Sequence, residues 1–196
     1  IWQEGASVEY MDLGRGKVLL LGPGPGMRTT WDPAIGERYA VWFEAERTES
    51  VAAQAVAYDT QTGRRWSLGD IGSVNSYPAI SGELIVWSSS MDIGEPAVWG
   101  ARIHGDWGFQ IAPGYGAPVV SGGLVVWATS WTGPFVAEEV ASGASWPVAA
   151  AMGDGRLTGL ALSGRELVWG QSTDAERTGV VAVADVDSGE TAALAV

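Results

Sequence analysis

The sequence predicts an all-β fold, namely a β-propeller of about five four-stranded antiparallel blades whose first blade is incomplete. Three observations support this prediction. A ten-residue phrase recurs along the chain, tryptophan returns at intervals of about forty residues, and a glycine turn follows each of these tryptophans after a short β-rich run. Short strands repeated at a fixed period are typical of blades that bury their faces against one another.

The recurring phrase is clearest at residues 33–42, 78–87 and 118–127, where it begins with Pro and ends with Val-Trp. A fourth copy at 160–169 lacks only the Pro. The closing tryptophans are separated by 45, 40 and 42 positions. We therefore predict one domain over residues 1–196, with blades at about 1–32 (partial), 33–76, 77–116, 117–159 and 160–196.

Each copy is predicted to contain four strands, called a to d. A brief apolar strand a, such as Ala79-Ile80, leads through a Ser-Gly turn to strand b, which ends in Val-Trp. Strand c runs up to a turn such as the one at Gly63, and strand d follows it. Trp31-Asp32 is placed in the loop before the first complete strand a.

A β-sandwich and a linear array of hairpins are the alternatives to a propeller, although a sandwich does not require one phrase at equal intervals.

The first unit begins at Ile1-Trp2, which corresponds to the end of a strand b. Its strand a and most of its strand b are missing from the pattern. We expect residues upstream of Ile1, or a protein segment from another polypeptide, to complete this blade, because unpaired strand edges invite pairing. Strand exchange of this kind would also allow a homo-oligomer or a filament.

Composition and charge exclude several classes of function. The formal net charge of -12 argues against nucleic acid as a partner, because phosphate binding needs clustered Lys and Arg. No apolar run approaches the roughly 18 residues of a membrane helix, so membrane insertion is not expected. The chain has no Cys and a single His, His104, beside a turn. We therefore expect no metal site and no cofactor.

Catalytic residues are not expected either. Propeller glycosidases gather carboxylates around the axis, where strand a lies. Here strand a carries apolar pairs such as Ala34-Ile35 and Val119-Val120, and Asp32 is the only acid near its entrance. Nucleophilic catalysis would need a base beside a Ser or Thr, and the lone His is poorly placed for it. The sequence predicts a protein that is not an enzyme.

Most of the tryptophans are predicted to be packing residues, because they recur at fixed places in strands b and d. These are Trp42, Trp87, Trp127, Trp169, Trp66, Trp107 and Trp146. The b-to-c and d-to-a loops share one face and vary in length, and binding residues usually lie on such loops. On this variable-loop face the candidate ligand-binding residues are Trp31, Asp32, Tyr77, Tyr115, Trp131, Asp154 and Arg156.

The unit Pro-x-Ile-Ser-Gly-x-x-Ile-Val-Trp, followed by Tyr-Asp-x-x-Thr-Gly, resembles the TolB-like β-propeller repeats of bacterial and archaeal cell-surface and secreted proteins. Residues 33–69 and 77–90 carry the resemblance best. It implies an extracytoplasmic module that binds proteins or mediates adhesion. WD repeats differ because no strand here ends in Trp-Asp, and the sialidase-type Asp box lacks its Asp before Gly63 and Gly143.

These observations predict a non-enzymatic binding or scaffold module of a secreted or cell-surface protein. Its variable-loop face would mediate protein–protein contacts or assembly. The alternative is a lectin-like propeller that stacks sugar rings on the candidate aromatic residues. A glycoside hydrolase is the third and weakest alternative, because it would need several carboxylates at the mouth of the axis.

Overall fold

The computed structural model describes residues 2–4, 7–14, 16–23, 27, 29–46, 53–74, 78–90, 96–105, 108–113, 116–130, 132–148, 155–172 and 179–194. Within these ranges the chain forms nineteen strands and no helix. Accordingly, no helix that could cross a membrane occurs among them. The predicted all-β class is confirmed.

The strands form five consecutive antiparallel sheets, of which the second and third are joined edge to edge into one sheet of eight strands. The first sheet contains β1 (Trp2–Glu4), β2 (Ser7–Asp12) and β3 (Lys17–Leu21). The second contains β4 (Thr29–Ile35), β5 (Tyr39–Ala45), β6 (Ala53–Asp59) and β7 (Arg65–Val74). The third contains β8 (Ala79–Ser81), β9 (Leu84–Ser90), β10 (Ala97–Arg102) and β11 (Phe109–Pro113). The fourth contains β12 (Val119–Ser121), β13 (Leu124–Ala128), β14 (Phe135–Glu139) and β15 (Ala144–Pro147). The fifth contains β16 (Arg156–Ser163), β17 (Glu166–Ser172), β18 (Gly179–Asp185) and β19 (Thr191–Leu194).

This is the predicted β-propeller, with five blades of which the first has three described strands. The inner strands β4, β8, β12 and β16 contact one another in chain order around the axis. The second and third blades are also joined directly, because Ser73 and Val74 of β7 pair with Ser90 and Ser89 of β9.

Each blade buries its two faces against different neighbours. We call the face turned to the next blade in chain order the leading face, and the opposite one the trailing face. Val41 on the leading face of the second blade packs in one buried cluster with Trp87 of the third. The same relation joins Val86 to Trp127 and Val126 to Trp169. The repeated Val-Trp pair therefore serves two interfaces, because adjacent residues of a strand point to opposite faces.

The packing role predicted for the strand-b tryptophans is confirmed. Trp42, Trp87, Trp127 and Trp169 are all at most 3% exposed. In strand d the tryptophans at 66 and 146 are only half-buried, since the outermost strand is covered less completely than a central one. Trp107 lies outside the described residues.

Two inner strands differ from their prediction. Strand β4 begins at Thr29 and β16 at Arg156, ahead of the predicted blade starts at 33 and 160. Placing Trp31 and Asp32 in a loop was wrong, since both lie within β4. The ladder continues past a β-bulge between Trp31 and Ala34, and a second bulge lies between Leu157 and Gly159. A bulge shifts the pairing of the two strands by one residue. It therefore interrupts the alternation of side chains by which a strand is recognised in a sequence.

In the second and fifth blades the turn after strand c is organised by an aspartate. Asp59 accepts hydrogen bonds from the Gln61 and Thr62 amides at 2.8 and 3.1 Å. Its other oxygen accepts from Nε and Nη2 of Arg38 at 3.1 and 2.6 Å. In the fifth blade, Asp185 accepts the amides of Asp187 and Ser188 in the same way. These carboxylates stabilise the c-to-d turn of their own blade through hydrogen bonds to its backbone amides.

This arrangement makes acid denaturation testable at one residue. The bonds from Arg38, and then those from the turn amides, hold the pKa of Asp59 well below its usual value of 3.8. Because the folded-state pKa is lowered, the stabilisation is present above about pH 4 and is lost as the pH falls further. We expect Asp59→Asn to be less stable than wild type at pH 7 and to lose less stability between pH 4 and pH 2. Urea unfolding at several pH values measures this, and parallel profiles for the two proteins would contradict it.

Candidate functional site

The inner strands of four blades enclose a cavity of about 580 Å³ at the axis. Its walls come from every inner strand between the second and the fifth blade. The lining residues are Ala34, Ile35, Pro78, Ala79, Ile80, Gly116, Ala117, Pro118, Val119, Val120, Ala128, Ser130, Leu157, Thr158, Gly159, Leu160, Ala161 and Leu162. Only Ser130 and Thr158 in this set have polar side chains, so the cavity is suited to an apolar group with few directional contacts.

The repeated phrase explains this lining. Its second and third residues form the inner strand in each blade, as Ala79-Ile80 and Val119-Val120 do. They bring small aliphatic side chains to the axis. Gly116 approaches another part of the wall so closely that a Cβ there would lie 3.2 Å from the Ala128 carbonyl oxygen. Its φ of +115° also favours glycine. Gly116 therefore sets the width of the cavity at the loop end.

Asp32 is the sequence-predicted candidate with the most unusual environment. It lies in the β4 bulge, two residues before Ala34 of the cavity wall, with a φ of +56°. That conformation is uncommon for a residue with a side chain and is a recognised mark of functional sites. Its carboxyl group is half-buried, and burial raises its pKa from 3.8 to about 6. Asp32 can therefore change its charge near pH 6, two residues along β4 from the Ala34 that lines the cavity.

The protonation of Asp32 has a measurable consequence. Because its folded-state pKa is raised, the protonated form stabilises the fold at low pH, and this contribution is lost as the pH rises from about 4 through 6. Asn at this position can still adopt a positive φ. We expect the free energy of unfolding of Asp32→Asn to rise relative to that of the wild type over this pH range by on the order of 1 kcal/mol, a value that is reduced because the group is partly exposed. Urea unfolding at pH 4 and pH 7 measures the gain. Asp70→Asn, at an exposed position of β7, is the control, and an equal gain in that variant would contradict the assignment to Asp32.

The other predicted binding residues are only partly located by the structure. Arg156 is exposed and begins β16, where it is paired in register with Ser172. The backbone of Trp31 lies in β4, opposite Phe43. Tyr77, Tyr115, Trp131 and Asp154 lie outside the described residues. The structure thus places Asp32 and Arg156 in inner strands rather than in loops. A binding role for the aromatic residues stays a prediction.

Sequence reasoning missed the polar residues of the cavity, Ser130 and Thr158. Thr158 occupies the second bulge, between Leu157 and Gly159. Ser130 lies in a turn, where its Oγ donates a hydrogen bond to the Gly133 carbonyl. Ser130 follows the third copy of the phrase and Thr158 precedes the fourth, so neither belongs to the recurring pattern and no sequence signal marks them. In the part of the chain that the structure describes, no three His, Cys, Asp or Glu side chains form a cluster that suits a metal ion.

The geometry defines a β-propeller with an apolar axial cavity, and solved structures with the same fold are known. TolB from Acinetobacter baumannii superposes with a TM-score of 0.65 at 14% identity, covering 96% of this chain and 48% of that one. The putative TolB from Agrobacterium tumefaciens gives 0.67 at 15% identity, covering 98% and 70%. An oligogalacturonate lyase in complex with manganese gives 0.67 at 12% identity, covering 96% and 59%. No family model and no curated protein sequence matches the chain.

These likenesses show the fold alone. The TolB-like resemblance stated from the repeat is supported at the level of fold by two structures with that name. The chain spans about half the length of the Acinetobacter protein. The lyase and a puromycin-hydrolyzing peptidase from Mycobacterium tuberculosis are equally similar in fold, so the same architecture occurs in enzymes.

Proposed function

We propose that this propeller is a non-enzymatic binding module that holds an apolar segment of a partner protein at the loop end of its axial cavity. The observation that carries the proposal is the cavity lining, in which aliphatic side chains and glycines from four blades surround about 580 Å³. A volume of this size matches pockets that accept one or two large side chains.

The polar groups near the cavity favour a peptide over a sugar ring. Thr158 offers a hydroxyl group that can donate or accept, whereas Ser130, which donates to the Gly133 carbonyl, offers only an acceptor; a partner's extended backbone has amides and carbonyls to pair with them. A sugar would leave many hydroxyl groups facing aliphatic walls without partners, which is costly. Asp32, two residues before Ala34 in β4, adds a carboxyl group of adjustable charge to the same strand, so that a basic residue of a partner that reaches it would bind better above pH 6 than below it.

The location of the protein is part of the same proposal. We infer an extracytoplasmic role, in a secreted or cell-surface protein, from the repeat and from its likeness in fold to TolB structures. We propose that the cavity does not carry glycosidase chemistry, which needs a pair of carboxylates at the axis, because the described lining residues include no ionisable side chain.

Blocking the cavity tests the proposal. The probes are an array of peptides of about ten residues and a glycan array, since extended segments and sugars are the two ligand classes at issue. We expect peptides with a large apolar residue to bind the wild-type protein, and Ala117→Trp to weaken the best of them at least tenfold. Ala117 is an exposed residue of the cavity wall, so a larger side chain there obstructs space without crowding the core.

The matched control is Ala144→Trp, at an exposed position of β15 in the same blade. It is expected to leave peptide binding unchanged in a fluorescence anisotropy titration. Equal peptide affinity in wild type and Ala117→Trp would reject the cavity as the site. A signal on the glycan array alone, lost in Ala117→Trp, would replace the proposal by the lectin alternative.

A further inference from the structure

Three side-chain rings form a cluster where the second and third blades meet, at the end that carries the a-to-b and c-to-d turns. Tyr39 and Trp66 belong to the second blade, and His104 lies in the turn after β10 of the third. Each ring meets the other two edge to face, with centroids between 5.2 and 6.2 Å apart. Tyr39 is buried, Trp66 is half-buried and His104 is exposed. Two covered rings therefore fix the position of an imidazole at the surface.

Arg38, at the same end of the blades, is already neutralised. Its Cζ lies 5.1 Å from the centroid of the Tyr39 ring. Its Nη2 is 2.6 Å from Oδ2 of Asp59, and the exposed Glu83 of the next blade adds a weaker attraction. This arginine therefore has a ring and carboxylates of its own chain as partners.

Arg64 has a ring but no acid as its partner. Its Cζ lies 5.1 Å from the centroid of the Trp66 ring, and its side chain is exposed. Within the described parts of the chain, no carboxylate lies at ion-pair distance from its guanidinium. A guanidinium over a ring still directs its N–H donors along its own plane, where a carboxylate can accept two of them.

The interface between the fourth and fifth blades shows what an arginine binds in this position. Arg165 there lies over Trp146, the equivalent of Trp66, with its Cζ 6.0 Å from the ring centroid. Its Nη2 is 3.4 Å from Oε2 of Glu139, and its Nη1 is 3.2 Å from Oδ1 of Asp187. The arginine on the strand-d tryptophan thus binds two carboxylates in this interface, and none among the described residues in the earlier one.

His104 occupies the position that Asp187 has in the later interface. In each interface the amide of the preceding residue donates to the carbonyl of the residue that follows the a-to-b turn glycine. These bonds join Val186 to Arg165 at 2.9 Å and Ile103 to Glu83 at 3.0 Å. The earlier interface therefore has an imidazole where the later one has a carboxylate. An imidazole can donate a hydrogen bond to an acceptor and, when protonated, adds a positive charge.

The second acid of the later interface has no free counterpart either. Glu139 corresponds to Asp59, because each accepts the amide of its turn glycine at its carbonyl, from Gly143 at 2.9 Å and from Gly63 at 2.8 Å. The carboxylate of Asp59 is occupied by Arg38 and by amides of its own turn. The place of an external carboxylate is therefore open in the earlier interface.

The c-to-d turn does not itself require an arginine. After the turn glycines at 16, 63, 143 and 189, the next residues are Lys17, Arg64, Ala144 and Glu190. The same kind of turn thus forms with a cation, a methyl group or a carboxylate at this position. The charge of Arg64 is therefore available for a partner.

We propose that this end of the second and third blades binds an acidic segment of a partner protein, with one side-chain carboxylate held by Arg64 and His104 beside Trp66. The carboxylate accepts two N–H donors from the guanidinium and a third from the imidazole. An apolar side chain next to it in the partner packs on the uncovered part of the indole. None of these residues lines the axial cavity, so the site is independent of the function proposed above.

An acidic polysaccharide is a poorer occupant than a protein segment. Arg64 lies over the Trp66 ring, so a sugar ring cannot stack on that face. A chain with a charge on every unit would also meet Glu37 and Glu83, which are exposed in the neighbouring a-to-b turns. A protein segment with a single acid beside an apolar residue avoids both.

The test uses the whole chain and synthetic peptides of about ten residues in which one Asp or Glu adjoins a Leu or Phe. Each peptide is compared with the same sequence carrying Asn or Gln in place of the acid. In fluorescence anisotropy titrations we expect the best acidic peptide to bind at least tenfold more tightly than its amide form. Arg64→Gln is expected to remove this preference without changing the urea unfolding midpoint, because the side chain is exposed.

His104→Phe keeps a ring against Tyr39 and Trp66 and removes the donor. We expect it to weaken the acidic peptide about threefold. Lys17→Gln is the matched control, since Lys17 is an exposed cation that also follows the turn glycine of its blade. It is expected to change the affinity less than twofold.

Four results would overturn the proposal. They are equal affinities of the acidic and amide peptides, a preference for acid that persists in Arg64→Gln, an equal loss in Lys17→Gln, and binding of the polysaccharide alginate without binding of any acidic peptide. Loss of the preference in Ala117→Trp would overturn it as well, because the acid would then be recognised at the axial cavity. Failure of peptides to bind that cavity would leave the predicted effect of Arg64→Gln unchanged, so the two proposals fail separately.

Discussion

Trp169→Ala is expected to lower the free energy of unfolding by about 4 kcal/mol, the largest effect of a single substitution that we anticipate at an interface between blades. Trp169 is 1% exposed and packs in a cluster with Val126, Leu167 and Ala182. Its ring meets the Phe135 ring of the fourth blade edge to face, with centroids 5.1 Å apart. Removing the indole therefore leaves a cavity between two blades that are rigid sheets and collapse poorly. Urea unfolding followed by circular dichroism measures the loss.

The control for this substitution is Trp146→Ala, on the outermost strand of the same interface. Trp146 is half-buried, and its Nε1 donates to the Val186 carbonyl at 2.9 Å. Because less apolar surface is covered, we expect a loss of about 2 kcal/mol. A loss as large as that of Trp169→Ala would mean that burial does not distinguish the two recurring tryptophan positions.

Glu44→Ala is expected to cost about 3 kcal/mol, because it leaves buried partners without their acceptor. Glu44 is fully buried, accepts a hydrogen bond from Nε1 of Trp42 at 2.6 Å and forms an ion pair with Arg65 at 2.5 Å. The guanidinium also lies over the Trp42 ring, 5.7 Å from its centroid. Urea unfolding of the single variants and of the Glu44→Ala, Arg65→Ala double variant gives the coupling free energy of the pair.

Glu44→Gln separates the two contacts of this carboxylate. The amide oxygen still accepts from Trp42, whereas the charge that attracts Arg65 is lost. We therefore expect a smaller loss than for Glu44→Ala. Equal losses in the two variants would assign the whole effect to the ion pair and contradict a role for the tryptophan hydrogen bond.

The arrangement of the blades was predictable because the repeated phrase encodes it locally. Strand b is recognisable from Val-Trp alone, and its alternation assigns Val126 to one interface and Trp127 to the other. The cluster of Glu44, Trp42 and Arg65 was not predictable, since Arg65 follows Glu44 by 21 positions and only the pairing of β5, β6 and β7 brings the two side chains together. The unusual state of Asp32 was equally hidden, because a bulge and its burial depend on the neighbouring strand.

The sequence by itself determined that the chain is built of repeated blades, the strand order within a blade and the tryptophans that pack between blades, because each of these follows from periodicity and from the two-residue alternation of a strand. Only the tertiary structure decided where the inner strands begin, that Asp32 lies in a strand rather than a loop, how the axial cavity is lined, and that Ser81 and Ser121 accept turn amides of the next blade. These features arise where residues from different blades meet, and the chain separates those residues by about forty positions. A local pattern cannot specify such distant contacts, since their geometry is set by the packing of whole sheets around the axis.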